Sequence, residues 1–253
     1  MEISPQKFPE ITLSFWIMKI AATTLGETAG DMLSMTLKIG YVVSSIILFA
    51  FFLVTVGLQM RTRRYVPALY WLVIVSTSTS GTTISDMMDR TLEMGYPAGA
   101  ATLLTILGLI FVYWRSTGES LDVANIRSSR VEFLYWTTIL FSNTLGTAMG
   151  DFLADSSGLG FAGGALLVGV LIVLVIIANY STKISKVVLF WIAFVLTRPF
   201  GAQFGDVLTK THEKGGLDLG TMGSSAVLAG ILIALVGYTI VQQRREAAPT
   251  TSA

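Results

Sequence analysis

The chain has 253 residues and a net charge of +1, and 53% of its residues are hydrophobic while only 13% are charged. With a mean hydropathy of +0.68, it is too apolar for an ordinary soluble domain and is typical of an integral membrane protein. The near-neutral charge argues against nucleic-acid binding. With no cysteine and one histidine, the chain lacks ligands for thiolate metal sites, iron–sulfur clusters and bis-histidine haem. We expect no cofactor and no enzymatic activity.

One short sequence pattern occurs four times along the chain. Each copy begins with Trp, has Gly ten residues later, then Gly or Ser followed by Asp, and a last Gly nine residues after the Asp. The pattern is W-x9-G-x3-[G/S]-D-x8-G, and four copies in register make an internal repeat. The tryptophans are Trp16, Trp71, Trp136 and Trp191, and the aspartates are Asp31, Asp86, Asp151 and Asp206.

The spacing of the four copies divides the chain into two similar halves. Consecutive tryptophans are 55, 65 and 55 residues apart, so equivalent positions in the two halves differ by 120. We therefore predict two repeat pairs, 1–120 and 121–245, followed by a disordered tail, 246–253.

Eight stretches have the length and apolar character of transmembrane helices, because a bilayer core of about 30 Å takes about 20 helical residues. Pattern-bearing stretches alternate with plain ones that contain no charged residue. Since charge in hydrocarbon faces the bundle interior or water, we predict an all-α membrane protein of eight transmembrane helices. It consists of four parallel two-helix repeats with an inner ring of four Asp-bearing helices. The stretches lie near 11–38, 41–60, 67–93, 96–114, 131–156, 160–180, 185–211 and 219–242.

The basic residues in the predicted loops indicate the orientation. Eleven Lys and Arg residues lie on the side of the termini and four lie on the other side. The positive-inside rule then predicts that both termini are cytoplasmic. We see no cleavable signal peptide, since the first apolar stretch continues into the repeat. Whether the chain forms a homodimer is left open.

The glycines and tryptophans of the pattern have structural interpretations. Small residues one turn apart let membrane helices approach closely, which we expect of the Gly-x3-Gly/Ser pairs. We expect the four tryptophans to form an aromatic belt on the cytoplasmic side. The last glycine of each copy is expected to start the turn between helices. These turn glycines are Gly40, Gly95, Gly160 and Gly215.

The four aspartates and Glu27 are candidate ion-binding or proton-carrying residues, because a carboxylate within a span is a functional hypothesis by default. Their oxygen ligands suit Mg²⁺, Ca²⁺ and Mn²⁺. Glu27 lies one helical turn before Asp31, where the two can share an ion, and we predict a metal site of Asp31, Glu27 and Asp151. Supporting polar residues are Thr24, Thr79, Thr82, Thr144, Thr147, Lys19 and Arg198.

The aspartates also have a structural interpretation. Each could cap a helix that is broken at its glycine pair, or form an ion pair with Lys19, Arg198, Arg90 or Lys210. Arg198 precedes Pro199, which is expected to kink the seventh helix. Arg198 is then either a fixed counter-ion of Asp206 or part of a transport site, and the sequence leaves both open.

The chain resembles a family of bacterial membrane proteins built from a repeat of unknown function, and the resemblance covers nearly the whole chain. It implies a multi-pass protein of the bacterial inner (plasma) membrane. The resemblance is carried by Phe8-Pro9-Glu10-Ile11-Thr12-Leu13, Phe15-Trp16, Lys19, Thr24-Leu25-Gly26-Glu27-Thr28 and Gly30-Asp31.

A shorter segment, from Glu27 to Asp31, is similar to the Glu-x-Gly-Asp core of bacterial and Golgi manganese or calcium exchangers. This chain has one extra residue between Glu and Gly, lacks the basic and hydroxyl residues that follow in those exchangers, and has the Glu in its first repeat alone. The similarity implies a cation as substrate without naming the ion.

These observations predict membrane transport of a small cation, a divalent metal of the Mn²⁺ type, by efflux, with proton coupling left open. The expected partners are the cation, protons and membrane lipid. The alternatives are an ion channel of the same architecture and a non-transport membrane scaffold, in which Lys or Arg would neutralise all four aspartates. The sequence argues against an intramembrane aspartyl protease, because the Gly required two residues before the Asp is replaced by Ala29, Met149 and Phe204.

Overall fold

The computed structural model describes residues 7–126 and 128–247, and the protein is all-helical within these ranges. Its eight long helices coincide with the eight predicted apolar stretches. Of the predicted tail, residues 246–247 end the last helix, and residues 248–253 lie outside the described residues. The helices are α1 (Leu13–Asp31), α2 (Tyr41–Arg61), α3 (Pro67–Asp86), α4 (Tyr96–Ser116), α5 (Ser129–Asp151), α6 (Gly160–Ser181), α7 (Lys186–Thr209) and α8 (Thr221–Ala247).

Five of the described helices are long and apolar enough to cross a membrane: α2, α4, α6, α7 and the Thr221–Arg245 part of α8. The other three, α1, α3 and α5, carry the sequence pattern and contain many Ser, Thr and charged residues. Their polar side chains are largely buried within the protein. The polarity of these three helices is therefore directed at other helices rather than at the surroundings.

The helix geometry changes at the aspartate in the first three repeats. The α-helix ends at Asp31, Asp86 or Asp151, and a five-residue π-helical turn follows directly in each case. Short π-helical segments are rare and occur often at functional sites. The fourth repeat differs, because α7 continues through Pro199 and past Asp206 to Thr209. The alternative of helices broken at their glycine pairs is wrong, since all four helices continue through those glycines.

The last glycine of each repeat lies in or next to the connection that follows the Asp. Gly40, Gly95, Gly160 and Gly215 have φ values of 84°, 71°, 65° and 80°, in a region that residues with a Cβ rarely adopt. The prediction that these glycines start the turns is wrong in position: Gly40 and Gly95 directly precede α2 and α4, Gly160 is the first residue of α6, and Gly215 alone lies within a connection. Substitution by any other residue is strained at all four positions.

The packing partners of the helices follow a regular order. Of the pattern-bearing helices, α1 and α5 each pack against both α3 and α7. Among the plain helices, α2 packs mainly against α3, α4 against α5, α6 against α7, and α8 against α1. Each plain helix therefore packs against the pattern-bearing helix of the following repeat. Each predicted repeat pair therefore packs one of its helices against the other pair: α4 contacts α5 of the second pair, and α8 contacts α1 of the first.

The small residues of the pattern lie at the contacts between pattern-bearing helices. A Cβ added to Gly81 of α3 would lie 2.9 Å from the backbone nitrogen of Thr144 in α5, and one on Gly205 of α7 would lie 3.1 Å from the Glu27 Cβ in α1. Such distances are too short for an unchanged backbone, so the predicted packing role of the glycine pairs is confirmed. The first glycines of the pairs contact the next repeat in cyclic order: Gly26 faces Ser78, Gly81 faces Asn143, Gly146 faces Arg198 and Gly201 faces Thr23.

The predicted aromatic belt is wrong for three of the four tryptophans. Trp71, Trp136 and Trp191 are at most 5% exposed. The physical reason is helical periodicity: fifteen residues separate each Trp from its Asp, which places the two side chains within about 60° of each other around the helix. Since the Asp faces into the bundle, the Trp does as well. We call the resulting group the aromatic cluster: Phe8, Phe15, Tyr70, Trp71, Tyr135, Trp136 and Trp191.

Candidate functional site

The fully buried Arg198 of α7 joins all four pattern-bearing helices. Its Nη2 atom lies 3.0 Å from the Glu27 carboxylate of α1. The same nitrogen donates to the hydroxyls of Thr82 in α3, at 2.5 Å, and Thr147 in α5, at 2.7 Å. Glu27, Thr82 and Thr147 occupy the same position in the first three repeats, eleven residues after the Trp. Of the two roles left open for Arg198, the fixed counter-ion of Asp206 is therefore wrong, because its carboxylate partner is Glu27.

The aspartates of the second and third repeats share one cation. Arg90, in the π-helical turn after α3, has its Nε 2.9 Å from Asp86 Oδ1 and its Nη2 3.5 Å from Asp151 Oδ2. The guanidinium carbon also lies 5.8 Å from the ring centroids of Tyr41 and Tyr96. Two carboxylates and two aromatic rings therefore hold this side chain.

The aspartates of the fourth and first repeats share a second cation. The Nζ atom of Lys210, the residue after α7, lies 2.9 Å from Asp31 Oδ2 and 3.0 Å from Asp206 Oδ1. All four aspartate side chains are thus both buried and ion-paired. This agrees with the structural interpretation of the aspartates in which Arg90 and Lys210 are their partners.

Arg90 and Lys210 are the residues that the predicted site lacked. Each lies four residues after its own Asp, a spacing that places both side chains on one helix face, and this is the signal in the sequence. The second aspartate of each bridge comes from another repeat, and only the helix arrangement determines which one. In contrast, within residues 7–126 and 128–247 no ion pair links Lys19 or Arg198 to any of the four aspartates.

Lys19 of α1 is fully buried, yet it has no carboxylate within 4.0 Å among the residues that the structure describes. Its Nζ atom lies 3.3 Å from Asn143 Oδ1 of α5 and 4.1 Å from the ring centroid of Phe194 in α7. Asn143 in turn donates to the Thr77 hydroxyl at 2.9 Å. Sequence analysis did not identify Asn143, which occupies the same repeat position as Arg198.

The three other predicted threonines do not contact the carboxylates through their hydroxyls. Each donates to a carbonyl of its own helix one turn earlier, which is the usual way to satisfy a hydroxyl in a membrane helix. Thr24 bonds Ile20, Thr79 bonds Val75 and Thr144 bonds Leu140, at 2.9, 3.1 and 2.9 Å.

Three carboxylates form a compact group. One oxygen each from Glu27, Asp31 and Asp206 lies within 4.8 Å of the others, and all three residues are buried. Ligand oxygens at about 2.3–2.6 Å from a Ca²⁺-sized ion lie at most about 5 Å apart, so the group has the dimensions of a cation site. The predicted metal set contained Asp31 and Glu27, and the group has Asp206 where that set had Asp151. Asp151 instead lies beside Arg90.

A cavity of about 360 Å³ opens beside the aspartates. It lies at the end of the bundle where the π-helical turns follow α1, α3 and α5, away from the two termini. Carboxylates and cations both line it, so an entering ion meets the paired side chains directly. The lining includes Arg90, Asp151, Asp155, Phe161, Asp206 and Lys210.

The aromatic cluster occupies the opposite end of the bundle, and the segment before α1 packs on it. Phe8 is 3% exposed, and its ring lies 5.0 Å from that of Tyr135. Lys7 Nζ lies 2.6 Å from Glu132 Oε2. Tyr65, in the loop before α3, borders the cluster, and burial raises its pKa to about 12, which keeps the phenol neutral. A second, largely apolar cavity of about 670 Å³ lies beside the cluster, between α1, α6, α7 and the α4–α5 connection, and its lining includes Leu13, Trp16, Asp122, Tyr180 and Phe190.

The repeat is also found by comparison with known families. A family described as Repeat of Unknown Function (DUF347) matches the chain four times, over residues 14–65, 69–120, 134–185 and 189–245. Each match begins near the Trp of one copy and contains one pattern-bearing and one plain helix. Searches of curated proteins and of solved structures find no match. The four matches cover most of the chain, so the internal repeat is confirmed and the chain belongs to this repeat family.

Proposed function

We propose that the protein transports a small cation across a membrane, through the intramembrane carboxylate group of Glu27, Asp31 and Asp206. The observation that carries this proposal is the distance between the three carboxylates, whose oxygens lie within 4.8 Å of one another. Buried charges cost about 2.5–3.5 kcal/mol each on insertion scales at the centre of a membrane helix. A group of three in one place, next to an open cavity, fits a site that an ion enters.

All eight helices cross the membrane in this proposal, with α1, α3, α5 and α7 as an inner ring. The packing supports it, because α1 lies against α7 and α8, α3 against α2, and α5 against α4 and α7. Each of these partners is long and apolar enough to span. A helix of 19 to 23 residues that packs along spanning helices occupies the same slab of bilayer.

The charges near the site favour a cation as substrate. The four aspartates, Glu27 and Asp155 are six carboxylates, and Arg90, Arg198, Lys210 and Lys214 are four cationic side chains, which leaves an excess of two formal negative charges among the ion pairs and the cavity lining. A divalent cation would balance this excess. Because the donors are oxygens, we propose a hard or intermediate ion of the Mn²⁺ or Ca²⁺ type, which the similarity of the Glu27–Asp31 segment to the manganese and calcium exchangers also suggests.

The two ends of the bundle differ as alternating access requires. The cavity leads to Asp206 and Lys210 from one end, while buried aromatic side chains pack between the pattern-bearing helices at the other end. With cytoplasmic termini and a location in the bacterial inner membrane, the cavity opens to the outside, and we propose metal efflux in exchange for protons. The alternative is an ion channel of the same architecture. Cation movement is coupled to protons in the exchanger and is not in the channel.

A non-transport scaffold is favoured by one specific observation: Arg90 and Lys210 each bridge two aspartates, so each of the four aspartates has a cationic partner. A scaffold needs these bridges for stability and has no use for the excess negative charge. Transport measurements with charge-neutral variants distinguish the two roles.

The experiment is cation flux in proteoliposomes for Mn²⁺, Ca²⁺ and Mg²⁺, with and without a pH gradient. We expect flux that falls at least tenfold in Glu27→Gln and Asp206→Asn and is unchanged in Glu213→Gln. Glu213 is an exposed carboxylate in the α7–α8 connection, so it controls for loss of one negative charge. A pH gradient drives uphill movement by an exchanger but not by a channel. Absence of flux for every ion, in protein that is folded and monodisperse, would eliminate transport and leave the scaffold.

A further inference from the structure

Arg90 and Lys210 each bridge two aspartates, and these two cation bridges occupy equivalent positions in the two halves of the chain. Arg90 and Lys210 are 120 residues apart, as are Asp86 and Asp206. Each cation pairs with the Asp four residues before it and with the Asp of the following repeat, and the fourth repeat is followed by the first. The chemistry of the two positions nevertheless differs, which lets one bridge serve as an internal control for the other.

The Arg90 bridge is built as a fixed contact. Its guanidinium carries donors for both aspartates in a rigid plane, a geometry in which little side-chain freedom is lost for each bond. Tyr41 and Tyr96 flank it, and the Tyr41 hydroxyl accepts a bond from Nη1 at 3.4 Å. The backbone of Arg90 belongs to a π-helical turn that continues from α3.

The Lys210 bridge lacks these restraints. Lys210 follows the last residue of α7 and has an extended backbone, with φ −72° and ψ 156°. Its ammonium is a single point charge on a flexible four-carbon stem. Both cations line the cavity, and their side chains are 20% exposed for Lys210 and 32% for Arg90, so the two bridges differ in their restraints and not in their access. The same cavity offers other carboxylates, Asp151 and Asp155, to a displaced ammonium.

One buried oxygen of the compact group has Lys210 as its charged partner. Asp206 Oδ1 belongs to a side chain that is 4% exposed, and Lys210 Nζ lies 3.0 Å away, although the contact does not have the angles of a good hydrogen bond. A buried carboxylate oxygen is costly to leave without a partner. This oxygen belongs to Asp206, a member of the compact group with Glu27 and Asp31, so it is a ligand atom that an entering cation can take over from Lys210.

We infer that Lys210 is a tethered competitor whose ammonium holds the position of the transported cation, and that an entering divalent ion binds Glu27, Asp31 and Asp206 by displacing it. This rests on the proposed function and adds to it the residue that sets the affinity. When only a fraction of molecules has a free site, the apparent dissociation constant rises by the inverse of that fraction. A Lys210 that occupies the site nine-tenths of the time lowers the apparent affinity about tenfold.

The test is equilibrium Mn²⁺ binding to the purified full-length chain in nanodiscs, in wild type, Lys210→Met and Arg90→Met. We expect Lys210→Met to bind Mn²⁺ at least tenfold more tightly and Arg90→Met to change the affinity less than threefold. Both substitutions remove one positive charge from the lining of the cavity, so a gain that depends on the net charge of the cavity alone appears in both variants. Equal gains, or no gain in Lys210→Met, overturn the inference.

Two further variants keep the test decisive. Lys210→Arg retains the charge, and we expect no gain in affinity. Lys210→Gln retains hydrogen-bond donors without charge and replaces Lys210→Met if that variant does not fold. Wild-type binding that Glu27→Gln abolishes but Lys210→Met leaves unchanged contradicts the competitor role while the proposed function stands. If neither wild type nor any Lys210 variant binds Mn²⁺, Ca²⁺ or Mg²⁺, the proposed function and this inference fail together.

Discussion

Arg198 of α7 and Glu27 of α1 form an ion pair at 3.0 Å in which both side chains are at most 4% exposed. Glu27 is itself a member of the compact carboxylate group, and Arg198 also contacts Thr82 and Thr147, so the pair links the fourth repeat to the other three. A buried ion pair adds little to stability compared with apolar residues of the same size, but breaking one side of it leaves an uncompensated charge. A variant that removes one partner should therefore destabilise the protein more than a variant that removes both.

We predict that Arg198→Met lowers the free energy of unfolding by about 3–5 kcal/mol, because Glu27 is left buried and unpaired. The double variant Arg198→Met with Glu27→Gln should recover at least half of that loss. The double-mutant cycle consists of wild type, Arg198→Met, Glu27→Gln and the double variant, and thermal unfolding of these four proteins in detergent measures it. Additive losses would mean that the two residues do not interact.

The packing glycines provide a second test. Gly81→Ala should destabilise the protein by about 1–3 kcal/mol, since the new methyl group meets backbone atoms of α5 that cannot rotate away. Gly108→Ala in α4 is the matched control, because nothing lies within 4 Å of its added Cβ. Gly108→Ala should be neutral or slightly stabilising, as expected for Ala in place of Gly inside a helix. Similar unfolding temperatures for the two variants would contradict close packing at Gly81.

The segment before α1 gives a third prediction. Phe8→Ala removes a buried ring from the aromatic cluster, and we expect a loss of about 3–5 kcal/mol. Hydrogen exchange should show faster exchange at residues 7–12 than in wild type. Leu13→Ala is the control, because Leu13 is 76% exposed. Unchanged exchange in Phe8→Ala would show that the segment is held by other contacts, such as the Lys7–Glu132 pair.

The sequence predicted the helices and the turns well because these depend on local chemistry. Apolar length defined the eight helices, and Gly40 and its equivalents marked the connections because φ is positive there, although most of them end the connection rather than start it. The packing role of Gly26 and its equivalents also followed from residue size alone. Four copies in register made each of these assignments stronger than a single match.

What the sequence did not predict depends on contacts between repeats. The second aspartate of each cation bridge, the packing of each plain helix on the following repeat, and the pairing of Arg198 with Glu27 all require the order of helices around the bundle. Spacing along one helix contains no such information. The inward position of Trp71 is the exception, since its angular distance from Asp86 could have been read from helical periodicity.

The orientation of the chain is tested most directly by cysteine labelling, because the native chain has no cysteine. Glu119→Cys places a thiol in the α4–α5 connection, and Glu213→Cys places one in the α7–α8 connection; both native side chains are exposed. If all eight helices span and both termini are cytoplasmic, a membrane-impermeant maleimide added to intact spheroplasts labels Glu213→Cys and not Glu119→Cys. Permeabilised cells should label both and serve as the accessibility control.

The reverse result would invert the orientation and direct the carboxylate cavity to the cytoplasm. Equal labelling of both in intact spheroplasts would place the two sites on the same side of the membrane. One or all three of the helices between them, α5, α6 and α7, would then not cross.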